Sequence, residues 1–407
     1  MNCRHCGALL KNIFLDLGCL PPSNAYLIKK NLHQSETYYP LKVLVCDQCW
    51  LVQTEDYINA QELFTSQYAY FSSTSSSWLG HAKNYTDKII KELSLNSKSY
   101  VIEIASNDGY LLKNFVAAKI SCLGIEPTAS TADVAEKIGI PVLREFFGQS
   151  LAHKLVLEGK KADLIIGNNV YAHVPDINDF TMGLKEILKT NGTITLEFPH
   201  LMNLIEHTQF DTIYHEHFSY LSLYTVCKIF EKESLRIFDV EKLKTHGGSL
   251  RVYGCHFDDI RKTKNSVALL LQKEKLSGLQ KIETYEGFQI VVDKIKSDLI
   301  KFLIEQKKKG KKVVAYGAAA KGNTLLNYAG INEELLPAVF DAATSKQGCF
   351  LPGSHIPILS PQYIIQTKAD YVLILPWNIA EEIIIENSIL KKNGVQFVIA
   401  VPKLKIL

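Results

Sequence analysis

Residues 101–112, V-I-E-I-A-S-N-D-G-Y-L-L, decide the fold. Val101 to Ile104 is an apolar, mostly β-branched run, Ala105 to Gly109 is small and polar, and Tyr110 opens a helical pattern. That order reads as a buried strand, a tight turn and a helix N-terminus, the layout of a nucleotide-type cofactor loop. Small residues let backbone approach a ligand. Carboxylates at Glu103 and Asp108 suit ammonium and hydroxyl donors better than a pyrophosphate, so the turn points to S-adenosylmethionine rather than NAD. Alone this is a weak signal, since any buried parallel strand can end in Asn-Asp-Gly.

Downstream, strands and helices alternate. Cys122 to Glu126 is a second strand ending in an acid 18 residues after Asp108, where doubly wound folds place a carboxylate on a ribose. Glu126 is the expected ribose ligand. Further strands are expected over Ile140 to Leu143, Ala162 to Gly167 and Gly192 to Pro199, the second of these running into N-N-V-Y-A-H-V-P-D at 168–176. After a helix near Ser222 to Lys232, Leu235 to Lys242 and Gly248 to Phe257 read as a hairpin. A parallel sheet closed by an antiparallel hairpin resembles the class I methyltransferase fold. The turn departs from that class at Ala105 and Asn107, where glycines are common.

Upstream, four of the nine cysteines form Cys3-x-x-Cys6 and Cys46-x-x-Cys49, two knuckles about 40 residues apart. Four thiolates so spaced predict one tetrahedral structural zinc with no open position for substrate. The first ~65 residues are too short for a large core, so metal would supply much of their stability. A junction follows, with Tyr68 and Tyr70 before a serine run from Ser72 to Ser77. It reads equally as a solvated linker and as a strap carrying tyrosine hydroxyls over the next domain's site. Leu79 to about Leu95 has helical spacing and would cover the sheet.

Beyond the hairpin, Asp258 to Lys309 is a long charged helical region, and a new α/β unit begins at Lys311. Strands are expected over Lys311 to Gly317, Pro337 to Asp341, Asp370 to Leu375 and Gln396 to Val401. The turn Ala318 to Thr324 carries Lys321 among small residues, which suits phosphate. Asp341 lies 24 residues beyond Gly317 and Lys346 follows it. We read a second nucleotide site here, for substrate, against the plainer reading of a good helix start. Candidate chemistry lies in Tyr214 to Tyr220, Y-H-E-H-F-S-Y, after the fifth strand. A histidine there titrates near neutrality, Glu216 could hold its tautomer, and Tyr214 could donate to an oxyanion. A metal bound with His173, His200 or His207, or mere polarity, are the competing readings.

The composition fits these expectations: 407 residues, 47% hydrophobic and 21% charged, are enough for two or three cored domains. A net charge of +3 implies no nucleic-acid partner. No apolar run approaches the ~20 residues of a membrane span, and a cytoplasmic location is expected.

Together, the cysteine knuckles, Y-A-Y-F-S-S, E-I-A-S-N-D-G-Y-L-L, N-N-V-Y-A-H-V-P-D, Y-H-E-H-F-S-Y, H-G-G-S-L-R-V, Y-G-A-A-A-K-G-N-T-L-L-N and K-Q-G-C-F-L-P-G-S-H-I-P-I resemble the nucleotide-sugar C-methyltransferases. The resemblance spans nearly the whole chain and includes enzymes that methylate C3 of 4-keto-6-deoxy sugars, the tetronitrose-pathway enzyme among them. It implies an α/β chain: a zinc domain at 1–67, a methyltransferase domain at 68–258, a helical connection at 259–310 and a Rossmann-like domain at 311–407. It implies that His217 is the base at C3, with Tyr214, Glu216, His173 and Tyr68 around the reacting centre. Glu103, Ala105, Asn107, Asp108, Glu126 and Asn168 would meet S-adenosylmethionine. Tyr70, Gly317, Lys321, Asn323, Asp341 and Lys346 would meet a dTDP- or GDP-linked sugar. Three domains in one chain can enclose such a site without a partner, which leaves the oligomeric state open and a monomer among the expectations. Sugar O-methylation and NAD(P)-dependent sugar oxidation are the rival activities, the latter weakened by the missing GxGxxG.

Overall fold

The computed structural model describes residues 1–58, 62 and 71–407. Tyr68 and Tyr70 lie outside the described residues. The N-terminal strands are β1 (Asn12–Leu20), β2 (Tyr39–Val45) and β3 (Val52–Thr54). Next come β4 (Tyr100–Ile104), β5 (Ser121–Ile125), β6 (Val142–Leu143), β7 (Ala162–Asn168) and β8 (Leu188–Pro199). A short β9 (Ser219–Tyr220) precedes the hairpin β10 (Leu235–Leu243) and β11 (Ser249–His256). The C-terminal unit contains β12 (Val313–Tyr316), β13 (Val339–Phe340), β14 (Ile358–Leu359), β15 (Tyr371–Ile374), β16 (Gln396–Ile399) and β17 (Lys405–Ile406).

The central sheet has the order β10-β11-β8-β7-β4-β5-β6. β4 runs parallel to β5 and β7, while β11 is antiparallel to both β10 and β8. This is the class I methyltransferase sheet. Alternation along β4 explains its central place: Ile102 and Ile104 enter one apolar layer and Val101 the opposite one. Helix Ser76–Glu92 covers the second layer through Trp78, Ala82, Tyr85 and Ile89. Its N-cap is Ser75, whose Oγ accepts from Trp78 N at 3.3 Å. The serine run is therefore a 3₁₀ turn, Ser72–Thr74, and a capped helix start rather than a solvated linker. Asn107 Oδ1 and Asp108 Oδ2 accept from Ser72 N and Ser73 N, each at 2.9 Å, and tie that turn to the cofactor loop.

The C-terminal sheet, β14-β13-β12-β15-β16-β17, is parallel except for β17. Sequence reading misses β14 and β17 because each has two residues, too few for alternation to register. The charged stretch before this sheet forms two helices, Asn265–Leu276 and Phe288–Lys308, where a single helical region was expected. Gly278 and Gly287, at φ of +80° each, end the one and precede the other.

The N-terminal unit is completed by other parts of the chain. β3 pairs with β9, Val52 opposite Tyr220, and Leu27 bridges to Phe350. Leu15 and Val43 share one apolar cluster with Leu299 and Leu373. A unit too small for its own core thus buries its apolar face on both neighbours. Among the described residues, no helix is long and apolar enough to cross a membrane.

Candidate active site and zinc centre

Cys3, Cys6, Cys46 and Cys49 converge with all four sulfurs within 4.8 Å of one another. Cys3 Sγ lies 3.5 Å from Cys49 Sγ, and Cys6 Sγ 3.5 Å from Cys46 Sγ. Tetrahedral zinc–thiolate bonds need sulfur separations of ~3.8 Å, so the cage fits the metal. Gln53 Nε2 donates to Cys3 Sγ at 3.2 Å, an outer contact that orients a thiolate. Gln53 lies on β3, so the cluster connects through β3 to β9, which begins two residues after His217.

A cavity of about 830 Å3 extends from the turn after β4 to the turn after β12. At its first end stand Ala105, Asn107, Glu126 and Asn168, with Glu103 and Asp108 behind them. Ala105 (φ +56°) and Asn107 (φ +50°) take the left-handed backbone that glycine usually supplies. Only Gly109 is irreplaceable on space as well: a Cβ there would lie 2.3 Å from Ile140 Cδ1. Glu126 Oε2 accepts from Asn107 N and Oε1 from Thr128 N, each at 2.9 Å. Each oxygen keeps a lone pair for a hydroxyl. Asn168 Nδ2 meets the Tyr110 hydroxyl at 3.5 Å, and among the described residues its buried Oδ1 has no hydrogen-bond partner. Such acceptors fit the ribose hydroxyls and ammonium of S-adenosylmethionine. Burial, then Asp108 and Glu126, hold the Glu103 carboxyl well above the usual carboxylate range.

Mid-cavity stand His217, Tyr214, Glu216 and His173. The His217 ring lies 4.0 Å from that of Tyr214 and 4.6 Å from that of His173. Its Nδ1 is 2.8 Å from the Thr212 carbonyl, which can only accept. Nδ1 therefore carries the proton and Nε2 holds a free electron pair. Thr212, not Glu216, holds this tautomer; Glu216 Oε1 instead accepts from Asn24 Nδ2 at 2.7 Å. Burial, then His173, push the His217 imidazolium well below its ordinary range, and the same burial brings His173 to about 4. Both rings are neutral near pH 7. The alternative of a histidine metal site has no support: His200 Nε2 is bound to Glu274 at 2.7 Å, and the cysteine cluster is the only metal-type group among the described residues.

From the side of the turn after β12 the cavity is lined by Lys321 and Lys346, and Lys321 is close enough to act on the His217 ring electrostatically. Gly317, Asn323 and Asp341 lie behind that lining: Asp341 Oδ2 accepts from Ala318 N at 2.6 Å, and Asn323 Nδ2 donates to the Ser23 carbonyl at 2.6 Å. At Gly317 (φ +89°) a Cβ would lie 2.4 Å from Pro376 Cδ, so glycine is required there. The second turn thus opens on the same cavity as the first. Sequence reasoning missed Asn24 and His246. Asn24 arrives from the N-terminal unit with no local signal. His246 sits in H-G-G-S-L-R-V at φ +52°, a strained non-glycine position that can mark a functional site; its Nε2 lies 2.9 Å from Asn169 Nδ2, and its ring 5.2 Å from that of Trp78.

Three family models match: "Putative zinc binding domain" over residues 3–64, "Methyltransferase domain" over 78–238 and "C-methyltransferase C-terminal domain" over 244–402. The C-methyltransferase NovU of Streptomyces niveus is 32% identical over 409 residues, covering 100% of this chain and 96% of that protein. The chain belongs to the C-methyltransferase family. Its core takes S-adenosylmethionine as methyl donor, and its N-terminal cysteine cluster is a zinc site. Similar solved structures include the PH0226 protein of Pyrococcus horikoshii OT3, at 14% identity and TM-score 0.38 over 46% of this chain and 95% of that one. Another is the magnesium protoporphyrin IX methyltransferase of Synechocystis PCC 6803 with bound SAM, at 14% and 0.33 over 44% and 81%.

Proposed function

We propose that this C-methyltransferase acts at C3 of a nucleotide-linked 4-keto-6-deoxy sugar. The observation that carries the reading is the His217 tautomer: a neutral imidazole with its Nε2 lone pair in a cavity framed by both turns. A carbon-bound hydrogen yields to such a base only when an adjacent ketone delocalises the charge as an enolate. Nε2 takes the C3 proton while Tyr214 and His173, packed on the same ring, enclose the reacting carbon. When bound, S-adenosylmethionine supplies an electrophilic sulfonium methyl. Glu126 would hold its ribose and Asn168 its amino acid end. In-line attack with inversion would require His217 and the sulfonium methyl on opposite faces of the sugar carbon. Lys346 would face the substrate phosphates, with its Nζ fixed by the Ala318 carbonyl at 2.8 Å.

Incubation with methyl-labelled S-adenosylmethionine and a panel of dTDP- and GDP-linked keto sugars tests this. Label bound to the carbon next to the ketone is expected. Label on oxygen would favour O-methylation, and no label on any sugar would count against the substrate class.

A further inference from the structure

We propose that Lys321 is a catalytic residue whose ammonium stabilises the oxyanion formed when His217 deprotonates the substrate. This rests on the keto-sugar reading and reassigns Lys321 from phosphate to the ketone. Lys321 is half-buried and opens on the cavity that holds His217. Its Nζ donates to Asn378 Oδ1 at 2.6 Å and lies 4.7 Å over the Trp377 ring. Those contacts fix the ammonium and leave it capacity for one more acceptor. Lys346 has Asp341 at 3.9 Å, whereas among the described residues no carboxylate reaches ion-pair distance of Lys321. Asp211, held by Trp377, acts on Lys321 electrostatically without pairing with it directly, so the ammonium is kept charged and still placed to meet a negative charge that arrives with the ligand.

The same short stretch holds cation and base. Trp377 Nε1 donates to the buried Asp211 Oδ2 at 2.7 Å, and the carbonyl of the next residue, Thr212, accepts from His217 Nδ1. One helical turn past Lys321, Thr324 Oγ1 donates to the Ile213 carbonyl at 3.0 Å. Lys321 and His217 are thus both fixed against residues 211–213 although they come from different domains. In the step, the C3–H bond breaks and its electron pair forms a C3–C4 double bond. The C4–O π pair moves to oxygen, and the proton goes to His217 Nε2. A buried, weakly basic imidazole needs the resulting charge to be strongly stabilised, and a preorganised cation does so without reorganising.

Deuterium uptake at C3 in heavy water, without methyl donor, separates this role from phosphate binding. Lys321→Met should slow exchange by about 10²–10³-fold while calorimetric affinity for dTDP or GDP and for S-adenosylmethionine changes little. Lys321→Gln should behave alike, and serves if Lys321→Met does not fold. Retained exchange in a folded variant would overturn the proposal, as would unchanged exchange with lost nucleotide affinity. Failure of wild-type protein to exchange any keto sugar would overturn the substrate reading and this role with it.

Discussion

The turns after β4 and after β12 are built alike. In each, the acid closing the next strand accepts one N–H from the turn and one from two residues beyond itself: Glu126 from Asn107 and Thr128, Asp341 from Ala318 and Ala343. They differ in what stands in front. Glu126 lines the cavity, whereas Lys346 lies between Asp341 and the cavity. Acceptors therefore stand at one end and ammonium groups at the other, and on the proposed function this would suit a donor-rich cofactor and an anionic substrate respectively.

The largest expected effect comes from the residue between the turns. His217→Asn should lower kcat by about 10²–10⁴-fold with both ligands still binding in calorimetry; a loss of binding instead would make His217 a structural group. A crossed pair tests the contrast itself. Glu126→Gln should weaken S-adenosylmethionine by about 10-fold or more and spare nucleotide diphosphate, and Lys346→Met should do the reverse. Parallel losses in both titrations would break the comparison.

A subtler test is pH. On the proposed function His217 would work as the neutral base, and burial with His173 beside it holds its imidazolium below the ordinary range. Protonation therefore begins only at lower pH, so kcat/KM should stay level through ~6.5 and fall on further acidification. Lys321 also disfavours the charged ring, so Lys321→Met should move that fall to higher pH. A limb centred at the ordinary histidine value would contradict the assigned environment. Smallest is Ala105→Gly, which relieves a left-handed alanine and should stabilise the fold by about 1 kcal/mol in denaturant titration.

Much of this was legible in the sequence where residues act locally. The β4 turn, the acid of β5, the closing hairpin and the paired cysteine knuckles each have a period or spacing that physics ties to a shape. What escaped depends on distance along the chain. Asn24 reaches Glu216 across 192 positions, and Lys321 meets Asn378 across 57, so no window of sequence contains either pair. Residue type and the family resemblance placed Glu103 and Asp108 on the cofactor; in the structure Asp108 Oδ2 accepts from Ser73 N, and both carboxylates stand behind the residues that line the cavity. The β4 turn also shows that left-handed backbone does not require glycine, since Ala105 and Asn107 adopt it.

The central claim is that one cavity holds both ligands with His217 between them. A crystal structure with S-adenosylhomocysteine and a nucleotide-linked sugar measures this directly. The account predicts the sugar between the two turns, with His217 Nε2 within ~3.5 Å of C3 and sulfur on the opposite face. A nucleotide seated outside this cavity, or an imidazole directed away from the sugar ring, would contradict it.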